Sequence, residues 1–95
     1  MPSPAPISDY VYEPSLKACA VARQLNMALA GRDPNLFLQA LSEAARDKGI
    51  AKLAMEAGVG RESLYKTLAD GAKPRYDTVL NLLHHLGVKV VIEAR

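Results

Sequence analysis

The sequence predicts an all-α fold of five helices in one domain, ending in a short β-strand. Three observations carry this expectation. Apolar residues make up 49% of the chain and are mostly Ala and Leu, while aromatic residues are only 5% and Trp is absent; that mixture suits thin, closely packed helices. Apolar side chains recur at helical spacing in five successive runs. Gly and Pro fall between those runs, where helices stop and start. A length of 95 residues is one domain's worth of chain, with no room for a second independent core.

Residues 1–13 read as an irregular N-terminal arm, because three of the six prolines and two serines fall within residues 1–9; Tyr10-Val11-Tyr12 is the one stretch expected to be extended. The helical domain then spans 14–95. A first helix over about 14–30 starts at Pro14 and carries Leu16, Ala20, Ala22, Leu25, Ala28 and Leu29, with Gly31 closing it. Asp33-Pro34 pairs an N-cap with a first-turn proline, and Phe37, Leu38, Leu41, Ala44 and Ala45 form the stripe of a second helix ending at Gly49. Ile50, Leu53, Ala54 and Ala57 share one face of a short third helix that Gly58 stops. A fourth runs from Arg61 to Ala69, with Leu64 and Leu68 inward, and is stopped by Asp70-Gly71. A fifth is entered through Lys73-Pro74, carries Tyr76, Val79, Leu80, Leu83 and Leu86, and is closed by Gly87. The tail switches to β-branched residues and predicts a strand over about 88–93.

Charge is unevenly spread. Residues 1–45 hold three Lys/Arg against four Asp/Glu, residues 46–95 nine against six, and seven of those nine lie between Arg46 and Arg75. Such a patch suits a polyanion, although clustered lysines also form ordinary solvated faces. Cys19 is the one cysteine, so no internal disulfide is available and the cytoplasm is the expected compartment. The N-terminus lacks the basic and apolar regions of an export signal, and no apolar run approaches the ~18 residues of a membrane helix.

The stretch MEAGVGRESLYKTL, residues 55–68, sets a glycine pair between two short helices. A steep helix–helix crossing over a three-to-four-residue turn requires close backbone approach, which Gly58 permits, a small contact residue, which Ala54 supplies, and apolar residues under the turn, here Leu53, Val59 and Leu64. The region about 50–69 therefore reads as a helix-turn-helix, whose second helix can enter a major groove about 12 Å wide. Arg61, Glu62, Tyr65 and Lys66 stand at its leading end. Arg pairs bidentately with guanine, Glu accepts from cytosine, and Tyr and Lys reach phosphates or bases. Tyr65 fits burial at the core edge as well as groove contact, and Arg61 and Glu62 are also ordinary helix-start residues.

The run GIAKLAMEAGVGRESLYKTLADGAKPRYDTVLNLLHHLGVKV, residues 49–90, together with DPNLFLQALSEAARDKG, residues 33–49, resembles the addiction-module antidote proteins: Cro/C1-type helix-turn-helix antitoxins encoded beside RelE/ParE-type toxins. The resemblance implies a five-helix, lambda-repressor-like fold, a homodimer on double-stranded operator DNA, and neutralisation of a cognate toxin. It carries Arg61, Glu62, Ser63, Tyr65 and Lys66 over as recognition-helix residues and Lys52 as a backbone contact. One departure is Gly60, where these proteins often have serine. Glycine is a tolerated N-cap at a cost of a few tenths of a kcal/mol.

Other residues carry less. His84 and His85 diverge by about 100° on a helix and cannot share a metal as an i, i+4 pair could. Cys19 reads as small core filler, and Met27 and Met55 as gap-fillers or exposed helix formers. There is no phosphate-binding glycine loop, no CxxC and no serine elbow, so neither an enzyme nor a cofactor or metal is expected.

Three functions compete: an antitoxin binding toxin and operator, a stand-alone Cro/C1-type repressor without a toxin, and an interaction module whose helix-turn-helix is a relic. The extra N-terminal helix favours the first, although it also serves simply to enlarge the core. The toxin surface is placed on residues 7–32, through Tyr10, Tyr12, Leu16, Leu25 and Leu29, and a chain starting near Asp33 is expected to fold without it. The predicted tail strand needs a partner for its N–H and C=O groups, either its two-fold copy or Tyr10–Tyr12.

Overall fold

A computed structural model describes residues 15–95 of the chain. These form five helices: α1 Leu16–Ala30, α2 Pro34–Lys48, α3 Ile50–Ala57, α4 Arg61–Thr67 and α5 Tyr76–His85. The expectations for the arm at 1–13 and for an extended Tyr10–Tyr12 lie outside the described residues.

Local chemistry explains where the first two helices begin. The Ser15 hydroxyl accepts from the Ala18 N–H at 3.0 Å, and the Asp33 carboxylate accepts from the Asn35 N–H at 2.9 Å; each satisfies a donor that the first turn leaves unpaired. The turn between them departs from expectation. Gly31 keeps a right-handed conformation (φ −76°), and the left-handed residue is Arg32, at φ 61°. α2 and α3 are separated by Gly49 alone, at φ 107°.

One cluster of buried side chains forms the core. Leu25 comes from α1, Leu38, Leu41, Ala44 and Ala45 from α2, Leu53 and Ala54 from α3, Leu64 from α4 with Leu68 just beyond it, and Leu82, Leu83 and Leu86 from α5 and its end. The stripes expected for α2, α3 and α4 are the ones buried.

In α1 the buried face differs from the expected one, and in α5 it matches in part. α1 turns Ala18 and Leu25 inward and leaves Leu16 89% and Leu29 55% exposed. The reason is a close approach at the far end of the chain: a Cβ on Gly87 would lie 3.4 Å from the Ala18 Cβ, so only the small-residue edge of α1 fits there. Cys19, one position on, is exposed rather than core filler, and Met27 and Met55 are exposed as well. In α5 the inward face carries Val79, Leu82, Leu83 and Leu86, whereas Tyr76, the first residue, is 74% exposed. Because α1 packs on α2 and contributes Leu25 to the core, it is part of the fold. A chain starting near Asp33 would lose Leu25 and uncover part of that core.

The predicted C-terminal strand is absent: residues 88–95 form no ladder, and no strand occurs among the described residues. Instead α5 closes with bonds from the Gly87 N–H to His84 O and from the Val88 N–H to Leu83 O, both 3.1 Å, the two-bond closure of a helix followed by a left-handed glycine. Val88 then packs on the core, while Val90, Val91 and Ile92 are exposed. Alternation alone does not make a strand when no second strand is there to pair with it.

Candidate nucleic-acid interface

The geometry of α4 is set by the turn before it. Gly58 is left-handed (φ 73°, ψ 30°); its N–H donates to Met55 O at 3.3 Å and the Val59 N–H donates to Ala54 O at 3.0 Å. This again is the two-bond closure, completed by the apolar residue after the glycine folding back onto the core. No atom lies within 4 Å of where a Gly58 Cβ would stand, so glycine is required here by its backbone angle and not by crowding. Gly60 resumes an extended conformation, and its carbonyl accepts from the Leu64 N–H at 2.9 Å.

Leu64, only 1% exposed, and Leu68 then fix which side of α4 faces inward. Arg61, Glu62, Ser63, Tyr65 and Lys66 are consequently all exposed. Tyr65 is half exposed, at 50%, so burial at the core edge is not its role. Arg61, Glu62, Tyr65 and Lys66 fall at helical offsets that share one outward side. Glu62 in the first turn and Lys66 in the last each match the helix dipole.

Lys52 is exposed on α3 but stands in other company. It lines a hollow with Ser15, Lys17, Ala18, Asp47 and Lys48, which contains none of the five α4 residues. Two partnerships beside it escaped sequence reasoning. Lys48 Nζ donates to the His85 carbonyl at 2.6 Å and lies 2.7 Å from Glu56 Oε1. The hydrogen bond from Lys48 holds the Glu56 carboxyl below its usual range against the opposing effect of desolvation, and the charges of Lys48, Lys52 and His85 add to the lowering. At the end of α3, Asn81 Nδ2 of α5 donates to the Ala57 carbonyl at 3.0 Å. The one sequence signal for Asn81 is a poor helix former in a helix interior.

The three described residues among those proposed to meet a toxin do not form one patch. Leu25 is in the core. Leu16 and Leu29 are exposed at opposite ends of α1, roughly 20 Å apart at the helical rise; Tyr10 and Tyr12 lie outside the described residues. Leu29 borders an apolar hollow of about 510 Å³, shared with Pro34, Phe37, Pro74 and Val79. His84 and His85 meet edge to face, their ring centroids 5.0 Å apart. Among the described residues no group of three or more His, Cys, Asp or Glu is placed to hold a metal ion, and no helix is long and apolar enough to cross a membrane.

Five short helices around a leucine-rich core, with a charged helix held out on a glycine turn, define a class of small helical proteins that present a polar helix face to solvent. Within that class the chain belongs to the addiction module antidote family: the family model described as "Probable addiction module antidote protein" matches residues 7–94. It is also similar to an uncharacterised protein of Haemophilus influenzae, 32% identical over 69 residues that cover 73% of this chain and 71% of the relative. No solved structure matches the chain significantly.

Proposed function

We propose that this protein is the antitoxin of a type II toxin–antitoxin module, which neutralises a RelE/ParE-type toxin by direct binding and represses its own operon as a Cro/C1-type DNA-binding homodimer. Family membership supports the first half. The second rests on one observation: burial of Leu64 turns Arg61, Glu62, Ser63, Tyr65 and Lys66 together to solvent at the leading end of a short helix. In this reading Arg61 and Glu62 reach base edges, Ser63, Tyr65 and Lys66 reach bases or phosphates, and Lys52 holds the backbone. A symmetric dimer would present two such helices about 34 Å apart to a palindromic operator. The toxin engages the N-terminal arm through Tyr10 and Tyr12, with Leu16 and Leu29 at the two ends of α1.

The decisive experiment is fluorescence anisotropy with a duplex from the promoter upstream of the protein's own gene, compared with a random duplex over a salt series. The reading requires preference for the promoter and affinity that falls as salt rises, because phosphate neutralisation releases counterions. Equal binding to both duplexes would reject operator recognition. For the toxin, co-expression with the adjacent gene product is the test: a chain lacking residues 1–13 keeps the Ser15 cap and α1, and should fail to co-purify with it. Full co-purification would place the toxin surface elsewhere.

A further inference from the structure

We infer that Asn81 is a positioning residue for the α4 interface: its amide, by holding the Ala57 carbonyl, fixes the peptide on which α4 pivots. The inference rests on the DNA-binding reading above for its consequence, though not for its geometry.

Ala57 is the last residue of α3, and the carbonyls of a helix's last turn have no partner within the helix. The closure at Gly58 uses the carbonyls of Ala54 and Met55. That of Ala57 is taken instead by Asn81 Nδ2, at 3.0 Å and from 24 positions away. The Ala57 carbonyl belongs to the same rigid peptide plane as the Gly58 nitrogen, so holding its oxygen restrains rotation of that plane about the Ala57 Cα–C bond and sets the direction in which the chain enters Gly58. That restraint adds to the two closure bonds at a residue that has no side chain and no packing within 4 Å of its Cβ position to hold it. The segment from Gly60 through Thr67 is placed by this turn at one end and by the burial of Leu64 on its inner side.

The residue giving the hydrogen bond sits on a helix that is anchored in turn. Asn81 precedes Leu82 and Leu83, both in the core, and the far end of α5 is held by Lys48 through the His85 carbonyl. α5 is therefore a fixed strut, and Asn81 is the point at which it grips the turn. Without the grip, α4 samples more orientations and must be ordered when it meets a specific site, which weakens that complex. Non-specific binding, driven by charge and tolerant of orientation, is not affected.

The test uses the full chain with Asn81→Leu, which keeps the shape and removes the donor, and Asn81→Gln, which keeps the donor. Anisotropy is measured on the promoter duplex and on a random duplex, and hydrogen exchange is followed at the amides of residues 58–61 and of the core helices. Asn81→Leu should bind the promoter about tenfold more weakly, the scale of one net hydrogen bond, with random-duplex binding unchanged. Exchange should speed up at 58–61 and stay slow in α2. Asn81→Gln should recover much of the promoter affinity. Unchanged exchange at 58–61 in Asn81→Leu overturns the inference, as does uniform loss of protection with equal weakening on both duplexes. If the wild-type chain shows no preference for the promoter, the DNA-binding reading fails separately, and the exchange data alone decide whether Asn81 holds the turn.

Discussion

Lys48 and Glu56 form an ion pair of 2.7 Å across the Gly49 break, and the same ammonium donates to the carbonyl of His85. One side chain thus joins the ends of α2, α3 and α5. It also places a positive charge at the C-terminus of α5, where the helix dipole is negative.

This pairing gives stability a defined dependence on acid. The folded-state pKa of Glu56 is lowered below its ordinary value of 4.5, so the unfolded chain binds its proton more readily. The contribution is fully present above the ordinary value and is lost as pH falls through the lower, folded-state value. Urea midpoints should decline over that acidic window in the wild type and less steeply in Glu56→Gln. Parallel curves for the two proteins would remove Glu56 from the acid response.

Replacing Gly58 should be costly for a conformational reason alone. Gly58→Ala forces a side chain into the left-handed region in open space, and should lower stability by about 1–2 kcal/mol. Gly31→Ala provides the control, because Gly31 is right-handed and its added Cβ would only touch Ala28 O and Leu36 Cδ1 at 3.4 Å; it should be close to neutral. Denaturant midpoints of the two variants check the contrast.

Adjacent residues of α4 should behave oppositely on truncation. Leu64→Ala opens a cavity in the core and should cost about 2–5 kcal/mol, a large part of the stability of a small domain. Tyr65→Ala, at a half-exposed position, should change the thermal midpoint little and act on DNA binding instead. A large stability loss for Tyr65→Ala would return that residue to the core.

On DNA, Arg61→Ala should cost about 1–3 kcal/mol at the promoter site if it reads a base, with little effect on a random duplex. Lys52→Ala should weaken both duplexes evenly. Equal losses for Arg61→Ala would demote it to a phosphate contact.

How far these features could be read from the sequence depended on whether local pattern or distant contact decided them. The stripes of α2 and α3 are unambiguous because their large apolar residues recur at a single phase, and α4 could be oriented from Leu64 and Leu68. α1 could not: alanines are scattered around it, every face is mildly apolar, and its phase is set by the fit of Ala18 against Gly87. α5 has Leu80, Leu82 and Leu83 nearly in succession, so two inward faces are plausible until the core selects one. The exposed residues of the α4 face were legible for the same local reason. Lys48 and Asn81 were not, because their partners lie 37 and 24 positions away and no periodicity connects them.

Cys19 is the one cysteine of the chain, and it is exposed on α1 beside a hollow bordered by His84 and Lys89. A maleimide reagent will therefore modify each copy at a single place and leave the leucine core untouched. Spin labels attached there would report one separation between the α1 helices of two associated copies, which is a direct measure of how they are arranged. The same thiol can link two copies through a disulfide in air, so the size of any assembly should be determined with a reductant present.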